Sequence, residues 1–396
     1  MRIALISENF PPLRTSGAVQ LRDLSREIAR QGHCLTVLVP TAGLEGPWKI
    51  DDIDGYTVLR LRTPELKNVG RIRRTLNESL MPFFMLRGLR KSPLRSAKWD
   101  GVVWYAPSIF HWPLVGNLKR ASRCRSYLIV RDIFPQWAVD VGLMGRGAPY
   151  LFFSIVANCQ YRVADVIGVQ SKGNTKYFER WRCRPGRSLE VLPNWLGAPS
   201  RSVCSIRLSS TALAGRRVFV YAGNMGVAQD LDIFLDLADE MRGRPDIGFL
   251  FVGRGSESER LRQMSHRRML DNVMFHDEID PDEIPGLYAQ CSVGIVALDR
   301  RHRSHNIPGK FLSYMQSGLP VLACVNPGND LAALIRDERV GSVIENHRLA
   351  DLVEATEGVL DGLEARSDLS ARCRSLFERE YPVSKAVRQI IAALSG

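Results

Sequence analysis

The residues with the most suggestive chemistry lie around position 310, in the stretch 304–323 (SHNIPGKFLSYMQSGLPVLA). Pro308 and Gly309 mark the start of a predicted helix, since proline is tolerated where the first N–H groups lack partners. Such an N-terminus carries free N–H groups and about half a positive charge, which attract anions. Lys310 adds a full charge against the helix dipole, which a purely structural helix avoids. We therefore expect a phosphate-type ligand here, with a solvated basic loop as the alternative. Three more cations lie just upstream: Arg300, Arg301 and Arg303.

Two glycine-containing turns follow predicted strands in the second half of the chain. Val218–Ala222 leads into Gly223, and Phe249–Val252 leads into Gly253-Arg254-Gly255. A strand, a glycine turn and a helix in succession suit phosphates, because backbone N–H groups can approach the ligand. The G-x-G by itself is weak evidence, since it lacks the third glycine of a dinucleotide site. Arg254 and Lys310 are the candidates to balance a diphosphate.

Asp132 is the polar candidate in the first half. It follows the predicted strand Tyr127–Val130, so it is expected at the carboxyl edge of a sheet, where ligands gather. A carboxylate at that edge could orient an acceptor hydroxyl or act as a base. It could equally cap the following helix or pair with Arg131. The sequence leaves these alternatives open.

The elements that position these residues alternate between strand and helix. Ile3–Ser7 predicts a buried strand, the apolar face of 18–28 a helix, and Leu35–Val39 the next strand. This order implies an α/β fold with parallel sheets. A chain of 396 residues is too long for one ordinary core and predicts two domains. Periodicity is lost over 195–216, which we interpret as the interdomain linker.

Residues 60–98 are the most unusual in composition. They hold eleven Lys or Arg against two acids, with bulky apolar residues between them. Pro82 is expected to break or kink any helix there. A basic segment with apolar residues is attracted to an anionic membrane surface. A solvated helix with a core-facing stripe and a nucleic-acid surface are the alternatives, the latter without a recognised motif. The predicted membrane contacts are Arg71, Arg73, Arg74, Phe83 and Phe84.

Composition bounds the compartment and the partners. The net charge of +12 favours an anionic partner. The eight scattered cysteines have no paired C-x-x-C spacing, which is typical of reduced thiols in a cytosolic protein. No signal peptide precedes the first strand, and no apolar run reaches the length of a membrane span. We expect a cytoplasmic protein that contacts the inner face of the plasma membrane peripherally.

The pattern N-I-P-G-K-F-L-S-Y-M-x-x-G-x-P-V-L-A from Asn306 resembles the nucleotide-binding segment of family 4 retaining glycosyltransferases. The N-F-P-P, R-D-I-F-P and P-N segments extend the resemblance over nearly the whole chain. It is closest to the branch that builds bacterial surface polysaccharides, such as transferases of N-acetyl-fucosamine. The resemblance implies a GT-B fold of two Rossmann-like domains with parallel sheets facing a central cleft. It assigns residues 1–200 with a returning helix 381–396 to the acceptor-side domain, and 201–380 to the nucleotide-sugar-binding domain.

The resemblance also implies donor-binding positions. The family's two glutamates fall on His305 and Ser313, and its Arg and Lys fall on Asn224 and Gln229, so this sequence departs at all four. The GNxG…Q form is frequent in the polysaccharide branch. The full set of donor-binding residues expected from the resemblance is Gly17, Gly223, Asn224, Gln229, Arg254, His305, Gly309, Lys310 and Ser313. Of these, Lys310 and Arg254, together with Asp132, are the expected catalytic residues.

The implied function is a hexosyltransferase reaction without cofactor or bound metal. A sugar moves from a nucleotide sugar, expected to be UDP-linked, to a polyprenyl-diphosphate-linked acceptor in O-antigen, capsule or exopolysaccharide synthesis. Nothing in the sequence resembles a metal-ligand cluster, and no nucleic-acid partner is expected. Two alternatives remain: a non-catalytic GT-B partner subunit that binds a nucleotide sugar or membrane, and a sugar-nucleotide epimerase on the same fold.

Overall fold

The computed structural model describes residues 1–66, 69–199, 202–303, 305–365 and 368–396. The chain forms two compact units, Met1–Pro193 with Val383–Gly396, and Asn194–Pro382. The expected boundary between residues 200 and 201 lies outside the described residues, as does position 304. Each unit is an α/β domain built on its own sheet, as the alternation of strands and helices predicts.

The first unit contains an eight-stranded sheet in the order β3-β4-β2-β1-β5-β6-β7-β8. All neighbours pair in parallel except β3 and β4, which form an antiparallel hairpin at the edge. This hairpin was not predicted from the sequence. The strands are β1 (Arg2–Ile6), β2 (Cys34–Thr41), β3 (Trp48–Ile53), β4 (Tyr56–Arg62), β5 (Gly101–Tyr105), β6 (Arg125–Val130), β7 (Val166–Val169) and β8 (Ser188–Val191).

Helices cover both faces of this sheet. They are α1 (Ser16–Arg30), α2 (Arg71–Lys91), α3 (Trp112–Ser122), α4 (Gln136–Asp140), α5 (Ala148–Val163), α6 (Glu179–Arg182) and, from the C-terminal end, α14 (Val383–Ser395). Helices α2, α3 and α5 share one apolar core with the sheet. Helices α1 and α14 contact each other and the strands β2 and β6. The buried face of α1 begins at the Thr15 cap and ends before Gly32, which has a φ of +81°.

Pro82 does not end α2. The helix continues through it to Lys91, so the expected break was wrong, and a kink at Pro82 stays a prediction. Met81, Pro82, Met85 and Leu89 are all buried in the core of the first unit. Burial of this stripe outweighs the roughly 3 kcal/mol that proline costs a helix interior.

The second unit contains a six-stranded, fully parallel sheet in the order β11-β10-β9-β12-β13-β14. Its strands are β9 (Arg217–Ala222), β10 (Ile247–Val252), β11 (Val273–His276), β12 (Val293–Ala297), β13 (Val321–Cys324) and β14 (Gly341–Ile344). Its helices are α7 (Asp232–Glu240), α8 (Ser258–Arg267), α9 (Ile284–Tyr288), α10 (Gly309–Ser317), α11 (Asp330–Glu338), α12 (Leu349–Glu364) and α13 (Leu369–Glu380). Parallel strands place the loops after β9, β10 and β12 at one edge.

Among the helices that the structure describes, none is both long and apolar enough to cross a membrane.

Candidate functional site

Lys310 lies in the first turn of α10, as the sequence predicts. The helix begins after Pro308 and ends at Gly318, whose φ of +71° is the left-handed conformation that glycine adopts readily. Phe311, Leu312, Tyr314 and Met315 anchor it in the core of the second unit. The helix is therefore fixed, and its N-terminal turn is held at the edge where the strands end.

The Lys310 ammonium lies over an aromatic ring. Its Nζ is 3.5 Å from the centroid of the Tyr221 ring, at the end of β9. A methyl group built on Gly223 would lie 3.7 Å from the same Nζ. In the described part of the chain no carboxylate pairs with Lys310, and desolvation alone lowers its pKa to about 7. The site therefore holds an amine whose protonated form gains from any anion placed beside it.

The glycine turns after β9 and β10 pack directly against each other. The Gly223 N–H donates to the Val252 carbonyl at 2.9 Å, and the Met225 N–H to the Arg254 carbonyl at 2.8 Å. A Cβ on Gly253 would lie 2.1 Å from the Gly223 oxygen. A Cβ on Gly255 would lie 2.1 Å from the Met225 oxygen. The G-x-G is thus required for the close approach of two loops.

Asn224 and Gln229 are brought together. The Asn224 amide donates to the Gln229 Oε1 at 3.2 Å, and the same oxygen accepts the Gly226 N–H at 3.0 Å. The Tyr221 hydroxyl donates to the Asn224 carbonyl at 2.5 Å. These bonds fix the turn beside Lys310 with neutral groups. Asn224 and Gln229 could bind a ligand, but their hydrogen bonds also hold the shape of this turn.

Other predicted donor residues bond within the unit. Arg254 is largely exposed, and its Nε is 2.8 Å from the Glu278 carboxylate, which offsets its charge. The His305 Nδ1 accepts the Asp330 N–H at 3.1 Å, at the start of α11. The Ser313 hydroxyl donates back to the Gly309 carbonyl at 3.4 Å. These three residues and Gly309 all lie in the second unit, but only Gly309 is next to Lys310 in the first turn of α10.

The upstream arginines are not equivalent. Arg301 Nε donates to both oxygens of Asp299 at 3.0 Å, and Asp299 is buried. Arg301 lowers the pKa of this carboxyl against the opposing effect of desolvation. Arg300 and Arg303 have exposed side chains. Sequence reasoning missed both Asp299 and Tyr221, because neither belongs to a recognisable motif.

In the first unit, Gly17 lies near the end of β5. A Cβ at Gly17 would lie 3.2 Å from the Tyr105 hydroxyl, so the first turn of α1 approaches this ring closely. Tyr105 is buried, and desolvation raises its pKa to about 12. Arg131 is also buried and interacts with Tyr105. The close approach of the first turn of α1 to Tyr105 therefore explains why position 17 is a glycine.

Asp132 follows β6 at the same edge, and its side chain retains access to solvent. It does not cap α4, whose N-cap residue is Pro135 and whose N-terminus has no side-chain cap bond. The Arg131 guanidinium donates to the Leu192 carbonyl at 2.7 Å and to the Pro193 carbonyl at 3.4 Å, and its charge also acts on Asp132. Desolvation by the surrounding protein raises the pKa of Asp132, and the charge of Arg131 partly offsets this. The capping alternative is therefore wrong.

The predicted membrane contacts lie on the outer side of α2. The arginine triplet (Arg71, Arg73 and Arg74) is exposed, as are Phe83 and Phe84. Helix α2 contains one acid, Glu78, whose carboxylate is 2.7 Å from the Nε of Arg74 in the triplet. Ile72, Leu76 and Leu80 continue the exposed apolar stripe. Helix α2 thus has two apolar sides: one packs in the core, and the other is exposed to solvent.

Across the described ranges, no group of three or more His, Cys, Asp or Glu side chains is arranged to hold a metal ion.

Most of the second unit matches a model of a known protein family. Residues 216–362 match the family model described as "Glycosyl transferases group 1". This match covers β9 to α12, and thus both glycine turns and α10. A curated relative, the putative colanic acid biosynthesis glycosyl transferase WcaI of Escherichia coli (strain K12), is 23% identical over 344 residues. That alignment covers 80% of this chain and 82% of WcaI.

Solved structures show the same fold over the full length. Sucrose-phosphate synthase from Thermosynechococcus elongatus superposes with a TM-score of 0.75 at 16% identity, over 99% of this chain and 97% of that one. Anabaena Alr3699/HepE in complex with UDP and glucose superposes with a TM-score of 0.70 at 13% identity, over 100% and 99%. The chain therefore has the GT-B fold, and the comparisons together support a glycosyltransferase of this type.

Proposed function

We propose that the chain is a family 4 retaining glycosyltransferase of bacterial surface-polysaccharide synthesis. It transfers a sugar from a UDP-linked donor, such as an N-acetylated deoxysugar like N-acetyl-fucosamine, to a polyprenyl-diphosphate-linked acceptor. The motif resemblance and the likeness to WcaI, a putative colanic acid glycosyl transferase, support the pathway class. The likeness to HepE, solved with UDP and glucose, supports a UDP-linked donor.

The observation that carries the proposal is the position of Lys310. Its ammonium lies between the Tyr221 ring and the Gly223 turn, in the first turn of α10, with no carboxylate paired to it among the described residues. A cation in this position destabilises the empty helix terminus. Bound diphosphate reverses the sign, because ammonium, helix N–H groups and phosphate oxygens attract one another.

Charge on the diphosphate increases as the glycosidic bond breaks. Lys310 and the N–H groups at the start of α10 are fixed before the reaction and need no reorganisation when that charge develops. Their interaction with the leaving group therefore strengthens toward the transition state, which is what accelerates the chemical step. Gly309 has no Cβ, which leaves the backbone open to a phosphate. No metal ion is required for this stabilisation.

Asp132 serves the acceptor side in this proposal. It is exposed at the carboxyl edge of the first sheet and makes no cap for α4. It accepts a hydrogen bond from the acceptor hydroxyl and orients it. Arg131, bonded to two backbone carbonyls, fixes the backbone from which Asp132 projects.

The lipid-linked acceptor requires contact with a membrane, which we assign to the outer side of α2. The arginine triplet and the exposed Phe83 and Phe84 combine positive charge with apolar surface. Each cation near an anionic surface contributes about 1 kcal/mol. The protein is thus attached peripherally to the inner face of the plasma membrane.

A two-stage experiment tests the proposal. Purified protein is first screened for thermal stabilisation by UDP-sugars, since a ligand at about 100 times its Kd adds roughly 2.7 kcal/mol. The stabilising sugars are then incubated with polyprenyl-diphosphate-linked saccharides, and the product is detected by its added mass. Transfer with retained anomeric configuration is expected. Stabilisation without transfer would favour a non-catalytic partner subunit, and conversion of the free nucleotide sugar into its epimer would favour an epimerase.

A further inference from the structure

Exposed apolar side chains are concentrated on one side of the first unit. Of the fourteen large apolar residues exposed in the described part of the chain, ten lie on or beside the layer of α2, α3 and α5. Five are on α2, one is on α3, three are on α5, and Leu143 is in the loop before α5. Helix α3 packs against both α2 and α5, so the three helices form one continuous layer. Contiguous exposed apolar surface of this kind marks an interaction site.

The part of this surface on α5 was not identified from the sequence. We define the α5 face as Leu143, Leu151, Phe152 and Ile155, which are 61%, 62%, 43% and 56% exposed. Leu151 and Ile155 are four residues apart and therefore lie on the same side of the helix. The opposite side of α5 is buried through Ala157 and Gln160. Helix α5 thus has a core side and a separate apolar outer side.

The α5 face is joined directly to the segment that carries Asp132. The Phe153 ring, next to Phe152, packs edge-on against Phe134 with ring centroids 5.2 Å apart. The Tyr150 hydroxyl donates to the Gln136 Oε1 at 3.2 Å. Phe134 lies two residues after Asp132 in the chain. Aromatic packing and a hydrogen bond therefore join α5 to residues 134–136, which follow Asp132 in the chain.

The charges around the α5 face are predominantly positive, with Glu179 as the exposed acid of the segment 179–187. Residues 141–164 contain two arginines, Arg146 and Arg162, and no acid. At the C-terminal end of α5, the Trp181 Nε1 and Arg187 donate to the Tyr161 carbonyl at 2.6 and 2.8 Å. These bonds place the segment 179–187 beside α5, and Arg180, Arg182 and Arg184 in it are exposed. An apolar face with cations at its margins is complementary to an anionic bilayer, whereas two such faces repel each other.

We propose that the α5 face inserts into the headgroup–acyl boundary of an anionic phospholipid bilayer. It supplies the apolar part of membrane binding, next to the electrostatic part supplied by α2. Insertion brings the Asp132 segment to the bilayer surface, where the diphosphate of a lipid-linked acceptor lies. This last consequence rests on the proposed function, but bilayer insertion itself does not.

The test compares a triple variant with a matched control. Leu151→Ser, Phe152→Ser and Ile155→Ser are combined in one protein, and Val203→Ser with Met269→Ser, two exposed positions of the second unit, serve as the control. Both proteins and wild type are sedimented with phosphatidylethanolamine–phosphatidylglycerol vesicles and with phosphatidylcholine vesicles, at low and high salt. Melting temperature, with and without a stabilising UDP-sugar, monitors folding and the donor site.

The triple variant is expected to bind the anionic vesicles at least about tenfold more weakly than wild type, at both salt concentrations, because apolar burial is not screened. The control is expected to bind like wild type. The melting temperatures of the triple variant and of the control are expected to match that of wild type. If the triple fails to fold, Leu151→Ser and Ile155→Ser singly are expected to give smaller losses in the same direction.

Three results would overturn the proposal. The first is unchanged vesicle binding by the folded triple variant. The second is equal binding of wild type to phosphatidylcholine, which would remove the anionic partner. The third is self-association of wild type in the absence of lipid that the triple variant abolishes while keeping its vesicle binding, which would assign the face to a second copy. If the triple variant loses vesicle binding as expected, but no UDP-sugar stabilises wild type, the proposed function is refuted and bilayer insertion is not.

Discussion

Substitution of Lys310 by methionine separates the charge of this side chain from its packing. Methionine keeps an unbranched apolar chain over the Tyr221 ring, and only the ammonium is lost. Two unit charges about 4 Å apart at an effective dielectric constant of about 20 interact with about 4 kcal/mol. If roughly half to one unit of charge develops on the leaving diphosphate, the variant loses about 2–4 kcal/mol of transition-state stabilisation. Turnover should therefore fall about 30- to 1000-fold, and donor affinity should fall less.

The pH profile gives an independent readout. Desolvation lowers the pKa of Lys310 to about 7, and the protonated form is the one that attracts phosphate. For wild type, kcat/KM is expected to decrease above pH 7, about tenfold per pH unit, because this parameter reports the free enzyme. The Lys310→Met variant should lack that decrease. Bound diphosphate raises the pKa, so the profile of kcat should fall at higher pH than that of kcat/KM.

Stability provides the control. The unfolded chain keeps the Lys310 proton up to its ordinary pKa of about 10.4, whereas the folded chain loses it near pH 7. Wild type is thus stabilised as pH rises between these values, and Lys310→Met should lack that increase while being at least as stable at pH 7. Steady-state kinetics and thermal melts over pH 6–9 measure both. Wild-type kinetics in the variant would refute the assignment and move the phosphate site elsewhere, with Arg254 as the next candidate.

Three further predictions concern the first unit. Asp132→Asn should leave the melting temperature nearly unchanged while transfer falls, since the side chain caps no helix; an equal loss of stability would show a structural role. Reversal of the arginine triplet to Glu should lower sedimentation with anionic vesicles at low salt, as high salt should for wild type, and pelleting like wild type would contradict it. His111 is fully buried, neither ring nitrogen bonds to any residue that the structure describes, and desolvation lowers its pKa to about 4. Its unfolded form binds a proton near pH 6.5, so stability should fall as pH drops from 6.5 to 4, by on the order of 3 kcal/mol, and His111→Phe should flatten this slope in acid denaturation monitored by circular dichroism.

The regular elements that support the site could be predicted because their patterns are local. The α10 boundaries follow from Pro308 and Gly318, and the β9 and β10 strands follow from short apolar runs that end in glycine. The β3–β4 hairpin was missed because Trp48–Ile53 is rich in charge. Its turn nevertheless contains Asp54-Gly55, both with positive φ, which is a strong hairpin pattern and could have identified it.

The side-chain pairings could not be predicted, because each joins elements that are distant in sequence. Arg254 is offset by Glu278 from the loop after β11, and His305 bonds at the start of α11. The exposure of the α5 face is likewise invisible from its sequence. Leu151-Phe152-Phe153 predicts burial by composition, and only the packing against Phe134 shows which of the three faces inward.

The distribution of charge in the second unit favours a single cation as the main partner of the phosphates. Among the cations expected near the ligand, Arg254 is paired with Glu278 and Arg301 with the buried Asp299. The family's Arg and Lys positions hold Asn224 and Gln229, which bond to each other and shape the turn. Lys310 lies over an aromatic face instead, and no carboxylate among the described residues pairs with it. Arg300 and Arg303 are exposed upstream of α10, whereas Lys310 lies over the Tyr221 ring among neutral, internally bonded loops. This placement, within the described residues, concentrates the electrostatic response to a diphosphate at Lys310.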